Sequence, residues 1–240
     1  MTTQRESSPL DLLIVARLGL GHEPSAVLVV QRVEEVLGEF DPKTLLWRTE
    51  LRYEVPAIER LSGGSSQAAA ADAIAGLVEL GRDNKADRVK VVADISQVGL
   101  PFRRLLKERE VRAACVMISD AAKMRSDKRF WQVPQRELIS VALELMADNK
   151  VEVADLPEAE ALGQQLGAFS TKAPPRDALA DWRPAPQTDL AQALMLGLWW
   201  SERMMRSIVD QPPPPRTVPK VRALTFDDAL EEHDKTRVSS

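Results

Sequence analysis

Residues 12–32 have the sequence LLIVARLGLGHEPSAVLVVQR. Aliphatic and β-branched residues fill both ends of this stretch, and glycine, proline and polar residues lie between them. The pattern predicts two short apolar strands, Leu12–Val15 and Ala26–Val30, joined by a tight turn. One cation, Arg17, stands where the first strand enters the turn.

A third strand is predicted at Leu45–Val55, where apolar and charged residues alternate with the period of two that leaves one face solvated. Helices and strands then alternate, which predicts a mixed α/β sheet flanked by helices. The basic segment Ser119–Gln132 is predicted to be a mobile loop. The other predicted elements are a helix Ala68–Leu80 capped by Ser65 or Ser66 and ended by Gly81, a strand Val89–Ala93, a helix from Pro101 to about Lys107, a strand Val111–Ile118, a helix Val133–Ala147, an edge strand Val151–Val153, a helix Glu158–Leu166, an extended stretch at Ala168-Phe169 and a helix Thr188–Met205.

The composition is that of a protein with a sizeable core, since 44% of its 240 residues are hydrophobic. The net charge of −4 argues against wholesale coating of nucleic acid but allows a local basic patch. The single Cys115 cannot form an internal disulfide and is expected to be a small core residue. No apolar run approaches the roughly 18 residues needed to cross a bilayer, and no signal-peptide core is present. We therefore expect a soluble cytoplasmic protein with no membrane partner.

Three segments are predicted along the chain. Residues 1–9 form a polar tail, residues 10–209 form one domain, and residues 210–240 form a flexible tail that is rich in proline and acidic residues. Four prolines, Pro212–Pro215, cannot continue a helix, and the charged segment beyond them cannot bury a core of its own. We expect the C-terminal tail to be disordered when it is alone.

Several motifs resemble, in order and spacing, those of the nuclease domain of phage large terminases, which are DNA-packaging enzymes. The resemblance implies a ribonuclease H-like fold, in which antiparallel hairpin strands precede a strand–helix–strand unit. It covers about Leu12 to Arg203. The motifs are Leu18-Gly19 with Glu23-Pro24-Ser25-Ala26 in the first turn, Val91–Ala93 followed by Asp94, the helix start Val133–Ser140, and the apolar helix of residues 188–200.

The resemblance also implies where the metal-binding acids of such a nuclease would lie. Nucleases of this fold hold two divalent ions about 4 Å apart, with carboxylates from the first strand, the strand after the first helix, and the start of the last helix. Here Asp94 takes the second position, while Thr188 and Asp189 take the two acid positions of the third. Arg17 takes the first position. A guanidinium stays protonated at physiological pH and repels Mg²⁺.

We therefore interpret the chain as a nuclease fold with a damaged metal site and no metal cofactor, in which Arg17 pairs with Asp94 and Asp189 in place of the ions. It would act in phage DNA packaging inside the bacterial host cell, as a DNA-binding or assembly component. A separate packaging ATPase or another phage assembly protein would be its partner. Ordinary structural roles also explain these acids, because Asp94 can end a strand and Thr188 and Asp189 can cap a helix.

Two alternative functions stay open. In the first, Asp94, Asp189 and Glu23 hold Mg²⁺ or Mn²⁺ in an altered site, and the chain is an active DNA endonuclease. In the second, the chain is a structural adaptor that recruits a partner through residues 210–240.

A cluster of basic residues predicts contact with double-stranded DNA. Few acids interrupt the cluster and Trp131 lies within it, so the region can follow a phosphate backbone. A solvated helix face next to a mobile loop explains the same residues at least as well. The predicted DNA-binding residues are Arg103, Arg104, Lys107, Lys123, Arg125, Lys128 and Arg129.

Overall fold

The computed structural model describes residues 9–41, 46–84, 86, 88–172 and 188–205, which form a mixed sheet covered by helices. The strands are β1 (Pro9–Arg17), β2 (Ser25–Asp41), β3 (Leu46–Leu61), β4 (Val89–Asp94), β5 (Ala113–Ser119), β6 (Arg125–Ser126), β7 (Trp131–Pro134) and β8 (Val151–Val153). The helices are α1 (Gln67–Asp83), α2 (Pro101–Glu108), α3 (Gln135–Ala147), α4 (Ala159–Lys172) and α5 (Asp189–Trp200), and α5 continues as a π-helical turn, Ser201–Met205.

The strand order across the sheet is β6-β7-β5-β4-β1-β2-β3-β8. Strands β1, β2 and β3 are antiparallel neighbours, whereas β4 runs parallel to β1, and β5 and β7 continue in that direction. The predicted mixed sheet, with hairpin strands followed by strand–helix–strand units, is confirmed. The prediction of β8 as an edge strand is also confirmed, because β8 pairs only with β3.

Alternation of side chains along β1 divides the core into two layers. Leu13 and Val15 face the layer under α3, α4 and α5, while Ile14 and Ala16 face the layer under α1 and α2. Cys115 is buried in the second layer, as predicted, and this burial raises the pKa of its thiol.

Helix α5 lies directly on β1 and β2. A Cβ atom at Gly197 would lie 2.9 Å from side-chain atoms of both Val15 and Val30, so only glycine permits this close approach. Every α5 residue except Gln192 is buried. The packing holds the first turn of α5 over the carboxyl end of β1.

Several predicted strand boundaries were wrong because pairing between strands outweighed local pattern. Strands β2 and β3 are longer than predicted, since their pairing continues as far as Asp41 and Leu46. The predicted loop Ser119–Gln132 contains β6 and the start of β7. Val133 and Pro134 were predicted to be helical, but they pair with β5 before α3 begins.

Helix boundaries were predicted more closely than strand boundaries. Ser66 caps α1 as predicted, accepting a hydrogen bond from the backbone N–H of Ala69 at 3.1 Å. The predicted stop at Gly81 was wrong, because α1 continues to Asp83. A Cβ atom at Gly81 would lie 3.0 Å from Val89, so this glycine serves close packing. Ala168-Phe169, predicted to be extended, belongs to α4.

Residues 1–8, the predicted loop from residue 173 onward and the whole tail 210–240 lie outside the described residues. The predictions made for these segments, including the tail as a docking element, stay predictions. Among the helices that are described, none combines the length and apolar character that crossing a membrane requires.

Candidate functional site

A row of paired residues crosses the sheet where β1 and β4 end. Arg17 is in register with Asp94 on one side and with Ala26 on the other, and Ala26 is in register with Arg60 of β3. Residues in register on neighbouring strands share a face of the sheet, and here that face lies under α5. The fold therefore places an aspartate beside two arginines that only Ala26 separates.

Asp94 is 4% exposed at the carboxyl end of β4. Its Oδ1 accepts a hydrogen bond from the backbone N–H of Ser96 at 2.9 Å and another from the Ser96 hydroxyl. The same hydroxyl accepts from the backbone N–H of Ile118 at 2.8 Å, which fastens this turn to β5. Burial raises the pKa of Asp94, and the Ser96 hydrogen bonds and the Arg17 charge offset part of that effect.

Asp189 is 2% exposed at the start of α5, and both of its carboxylate oxygens are hydrogen-bonded. Arg60 Nε donates to Oδ2 at 2.8 Å and Arg60 Nη2 donates to Oδ1 at 2.9 Å, which is the strong bidentate arrangement. Gln165 of α4 donates to Oδ1 at 3.1 Å and accepts from the backbone N–H of Ala191 at 3.0 Å. Gln165 thus caps α5, whereas the Thr188 side chain, predicted as its cap, makes no capping hydrogen bond.

Arg17 is 12% exposed, and its contacts differ from the predicted cluster. Its Nε donates to Oε1 of Gln192 at 2.8 Å, and its Nη2 lies 3.4 Å from Oε2 of Glu23. The prediction that Arg17 binds Asp189 was wrong in its partner, because Arg60 reaches Asp189 from β3 and Gln192 holds Arg17. Arg17 affects Asp94 through its charge.

Glu23 is an exposed residue of the β1–β2 turn, with 55% of its side chain accessible. Its Oε2 accepts from Gln97 Nε2 at 2.5 Å, and Gln97 Oε1 accepts from the backbone N–H of Leu20 at 2.9 Å. The same turn is bonded to the loop after β3, because Gly64 N–H donates to the Gly21 carbonyl at 2.6 Å. The rim of the site is therefore built from three loops fastened to one another.

The donor atoms at this site do not fit the two-ion centre that the family resemblance implies. Both oxygens of Asp189 are engaged by Arg60 and Gln165, and Glu23 lies against Arg17. Mg²⁺ requires several convergent oxygen ligands. Among the residues whose positions are described, no three His, Cys, Asp or Glu side chains are grouped to hold a metal ion, so Asp94, Asp189 and Glu23 are not brought together as one.

Terminase nuclease domains are among the solved structures that this chain resembles. The human cytomegalovirus terminase nuclease domain, Mn soaked and inhibitor bound, is 10% identical with a TM-score of 0.50, over 84% of this chain and 86% of that chain. The Mn-soaked form of that domain is 10% identical with a TM-score of 0.49, over 80% and 84% of the two chains. The large terminase nuclease from thermophilic phage G20c is 17% identical with a TM-score of 0.47, over 82% and 83%.

The chain has the ribonuclease H-like fold of terminase nuclease domains. At these identities the likeness is one of fold. No protein-family model and no curated protein sequence matches the chain. The predicted resemblance and fold class are confirmed, and the terminase-like fold here carries Arg17 at the end of its first strand.

All seven predicted DNA-binding residues are exposed on the terminase-like fold, beside the sheet edge formed by β6. Two of them are partly neutralised, because Arg104 pairs with Glu108 at 3.0 Å and Arg129 lies 3.5 Å from Asp127. Trp131, predicted to lie among them as a stacking residue, instead packs edge-on against Trp200 with ring centroids 6.2 Å apart. The exposed residues are Arg103, Arg104, Lys107, Lys123, Arg125, Lys128 and Arg129.

The topology places part of this basic edge at the same end of the sheet as the Arg17 row. Strands β4 and β5 are parallel, so the segment that leaves β5 starts at the end where Asp94 lies. Lys123 and Arg125 follow in that segment, and Arg136 at the start of α3 anchors it by donating to the Ala122 carbonyl. A ligand at the row would therefore lie at the same end of the fold as these cations.

Sequence reasoning gave no site role to Arg60, Gln165 or Gln192. Gln192 had a detectable signal, because it follows Asp189 by three residues and so lies on the same helix face. Arg60 and Gln165 had none, since each reaches Asp189 from a separate element of the fold.

Proposed function

We propose that this protein is a catalytically inactive, terminase-like component of phage DNA packaging that binds double-stranded DNA or assembles with the packaging machinery. The observation that supports inactivity most strongly is the engagement of Asp189 by Arg60 and Gln165. A carboxylate has about four acceptor sites, and three donors already point at this one. Little capacity is left for a divalent ion.

The charges around the row support the same proposal. Catalysis with two divalent ions depends on a concentration of negative charge that attracts them. Here the guanidiniums of Arg17 and Arg60 face the carboxylates of Glu23 and Asp189, and burial disfavours the charged form of Asp94. The site therefore holds much less negative charge than three carboxylates alone would supply.

Duplex DNA is the partner that the exposed cations along β6 support, because closely spaced lysine and arginine side chains release counterions from a phosphate backbone. A separate packaging ATPase, or another phage assembly protein, is the second partner we propose, on the basis of the terminase-like fold.

A plasmid-nicking assay tests the proposed inactivity. Supercoiled plasmid is expected to stay intact when it is incubated with the protein and Mg²⁺ or Mn²⁺, because the carboxylates do not form a two-ion site. An Asp94→Ala protein purified in parallel controls for contaminating nuclease. Robust cleavage by the wild-type protein that is lost in Asp94→Ala would contradict inactivity and favour the altered metal site of Asp94, Asp189 and Glu23.

Duplex binding tests the proposed DNA contact. Replacing both Lys123 and Arg125 by glutamine is expected to weaken binding severalfold and to reduce the salt dependence, log Kd against log salt, by about 2, one for each phosphate contact. Arg82→Gln is the matched control, because Arg82 is an exposed cation in the last turn of α1. Equal effects of the control and the double variant would remove the basic edge from the DNA-binding surface.

A further inference from the structure

Arg17 keeps hydrogen-bonding capacity that Arg60 has used. Arg60 spends its bidentate fork on Asp189, whereas Arg17 donates strongly only through Nε, to Gln192. Its Nη2 lies 3.4 Å from Glu23, beyond the usual range of a strong charged hydrogen bond, and its Nη1 has no hydrogen bond with any described residue. Because a guanidinium carries five N–H donors, most of those on Arg17 are available to a ligand.

The carboxylate beside Arg17 is easily displaced. Glu23 is 55% exposed, and its Oε2 also accepts the 2.5 Å hydrogen bond from Gln97, so Glu23 keeps a partner if it leaves Arg17. Exposed ion pairs of this kind contribute little stability. A phosphate oxygen offers a guanidinium the same charged acceptor as a carboxylate oxygen does, with a geometry that arginine matches well.

We propose that Arg17 binds one backbone phosphodiester of duplex DNA, and that Glu23 occupies the guanidinium in the free protein and is displaced when the phosphate arrives. The inference rests on the proposed function, since it names the contact that the fold makes with DNA at the row. Divalent ions are not needed for this contact, because the positive charge is a permanent part of the chain.

The surroundings of Arg17 favour an anion at this position. The charge of Asp189 is already matched by Arg60, and the first turn of the twelve-residue helix α5, which supplies Gln192, carries the positive end of the helix dipole. Lys123 and Arg125 lie at the same end of the sheet and steer a polyanion toward it.

The test measures Kd for a labelled duplex by fluorescence anisotropy, with EDTA present and at several salt concentrations. Glu23→Gln is expected to lower Kd about threefold to tenfold, because it removes the competing carboxylate. Arg17→Gln is expected to raise Kd and to reduce the salt slope by about 1. In the Arg17→Gln background, Glu23→Gln should have no further effect, since the two act through one contact.

Glu79→Gln is the matched control for charge, because Glu79 is an exposed carboxylate in the second half of α1 and the substitution changes the net charge equally. Its effect on Kd is expected to stay below about twofold. Arg17→Lys is the second variant in case Arg17→Gln fails to fold. Lysine keeps the charge but loses the fork, so the salt slope should persist while affinity falls.

The outcomes separate this inference from the proposed function. Duplex binding that is unchanged in Arg17→Gln, or that responds equally to Glu23→Gln and Glu79→Gln, overturns the inference alone. A wild-type protein that binds no duplex overturns both. Calorimetric titration with inorganic phosphate is the second arm. Arg17-dependent uptake of inorganic phosphate without Arg17-dependent duplex binding would show that the site takes free phosphate, and the proposal would then be wrong.

Discussion

Replacing Arg60 by alanine is expected to lower the free energy of unfolding by about 2–4 kcal/mol. Asp189, which is 2% exposed, would lose both hydrogen bonds of its bidentate partner and would stay buried with the Gln165 amide. Breaking a fully buried ion pair costs about 3–5 kcal/mol. The expected loss is set lower because 31% of the Arg60 side chain is exposed and solvent screens part of its charge. Urea unfolding followed by circular dichroism measures the change.

Two further variants make the Arg60 experiment specific. Arg104→Ala removes an exposed ion pair with Glu108 one helical turn away, and its expected cost is about 0.3–0.5 kcal/mol. Asp189→Asn combined with Arg60→Ala should recover part of the loss, because no unpaired buried charge remains. If Arg60→Ala costs no more than Arg104→Ala, the pair does not hold α5 on the sheet, and the main support for an inactive site is removed.

Replacing Asp94 by asparagine is expected to raise the free energy of unfolding at neutral pH by about 1–2 kcal/mol, the order of magnitude for an incompletely compensated buried polar group. Asparagine has nearly the same shape, and its Oδ1 can still accept from the Ser96 backbone N–H and hydroxyl. In a working two-ion site the same substitution would remove a ligand. Here it relieves the burial of a charge.

The gain from Asp94→Asn should depend on pH in a defined direction. Burial raises the pKa of Asp94 in the folded state above its ordinary value of 3.8, so the folded state binds the proton more tightly than the unfolded state does. Wild-type stability therefore falls as pH rises from below the unfolded-state pKa through the folded-state pKa, and this slope is absent in Asp94→Asn. The two proteins should differ most at neutral pH and least in acid.

Thermal unfolding at several pH values checks this dependence. The positive charge of Arg17 lowers the pKa of Asp94, so removing that charge by Arg17→Gln should enlarge the gain from Asp94→Asn. A gain that is the same in acid and at neutral pH, or a loss of stability at neutral pH, would show that the folded protein accepts the Asp94 charge without cost.

Local patterns located most elements of this fold because the causes are close in sequence. The aliphatic runs before and after the first turn, and the serine that caps α1, act on residues a few positions away. The same local logic placed Asp94 at the end of β4 and Asp189 at the start of α5. It failed where pairing decided the structure, as in β7, which was predicted to be partly loop and partly helix.

The sequence by itself determined that a permanent positive charge, Arg17, stands at the end of the first strand, and that Asp94 and Asp189 stand at the ends of elements that meet there. Only the tertiary structure decided which side chains bind one another. Arg60 and Asp189 are 129 residues apart, and they meet because strand register sets Arg60 beside Ala26 while Gly197 lets α5 settle on β1 and β2. Contacts of that kind depend on how separate elements pack, so no pattern within a single segment encodes them.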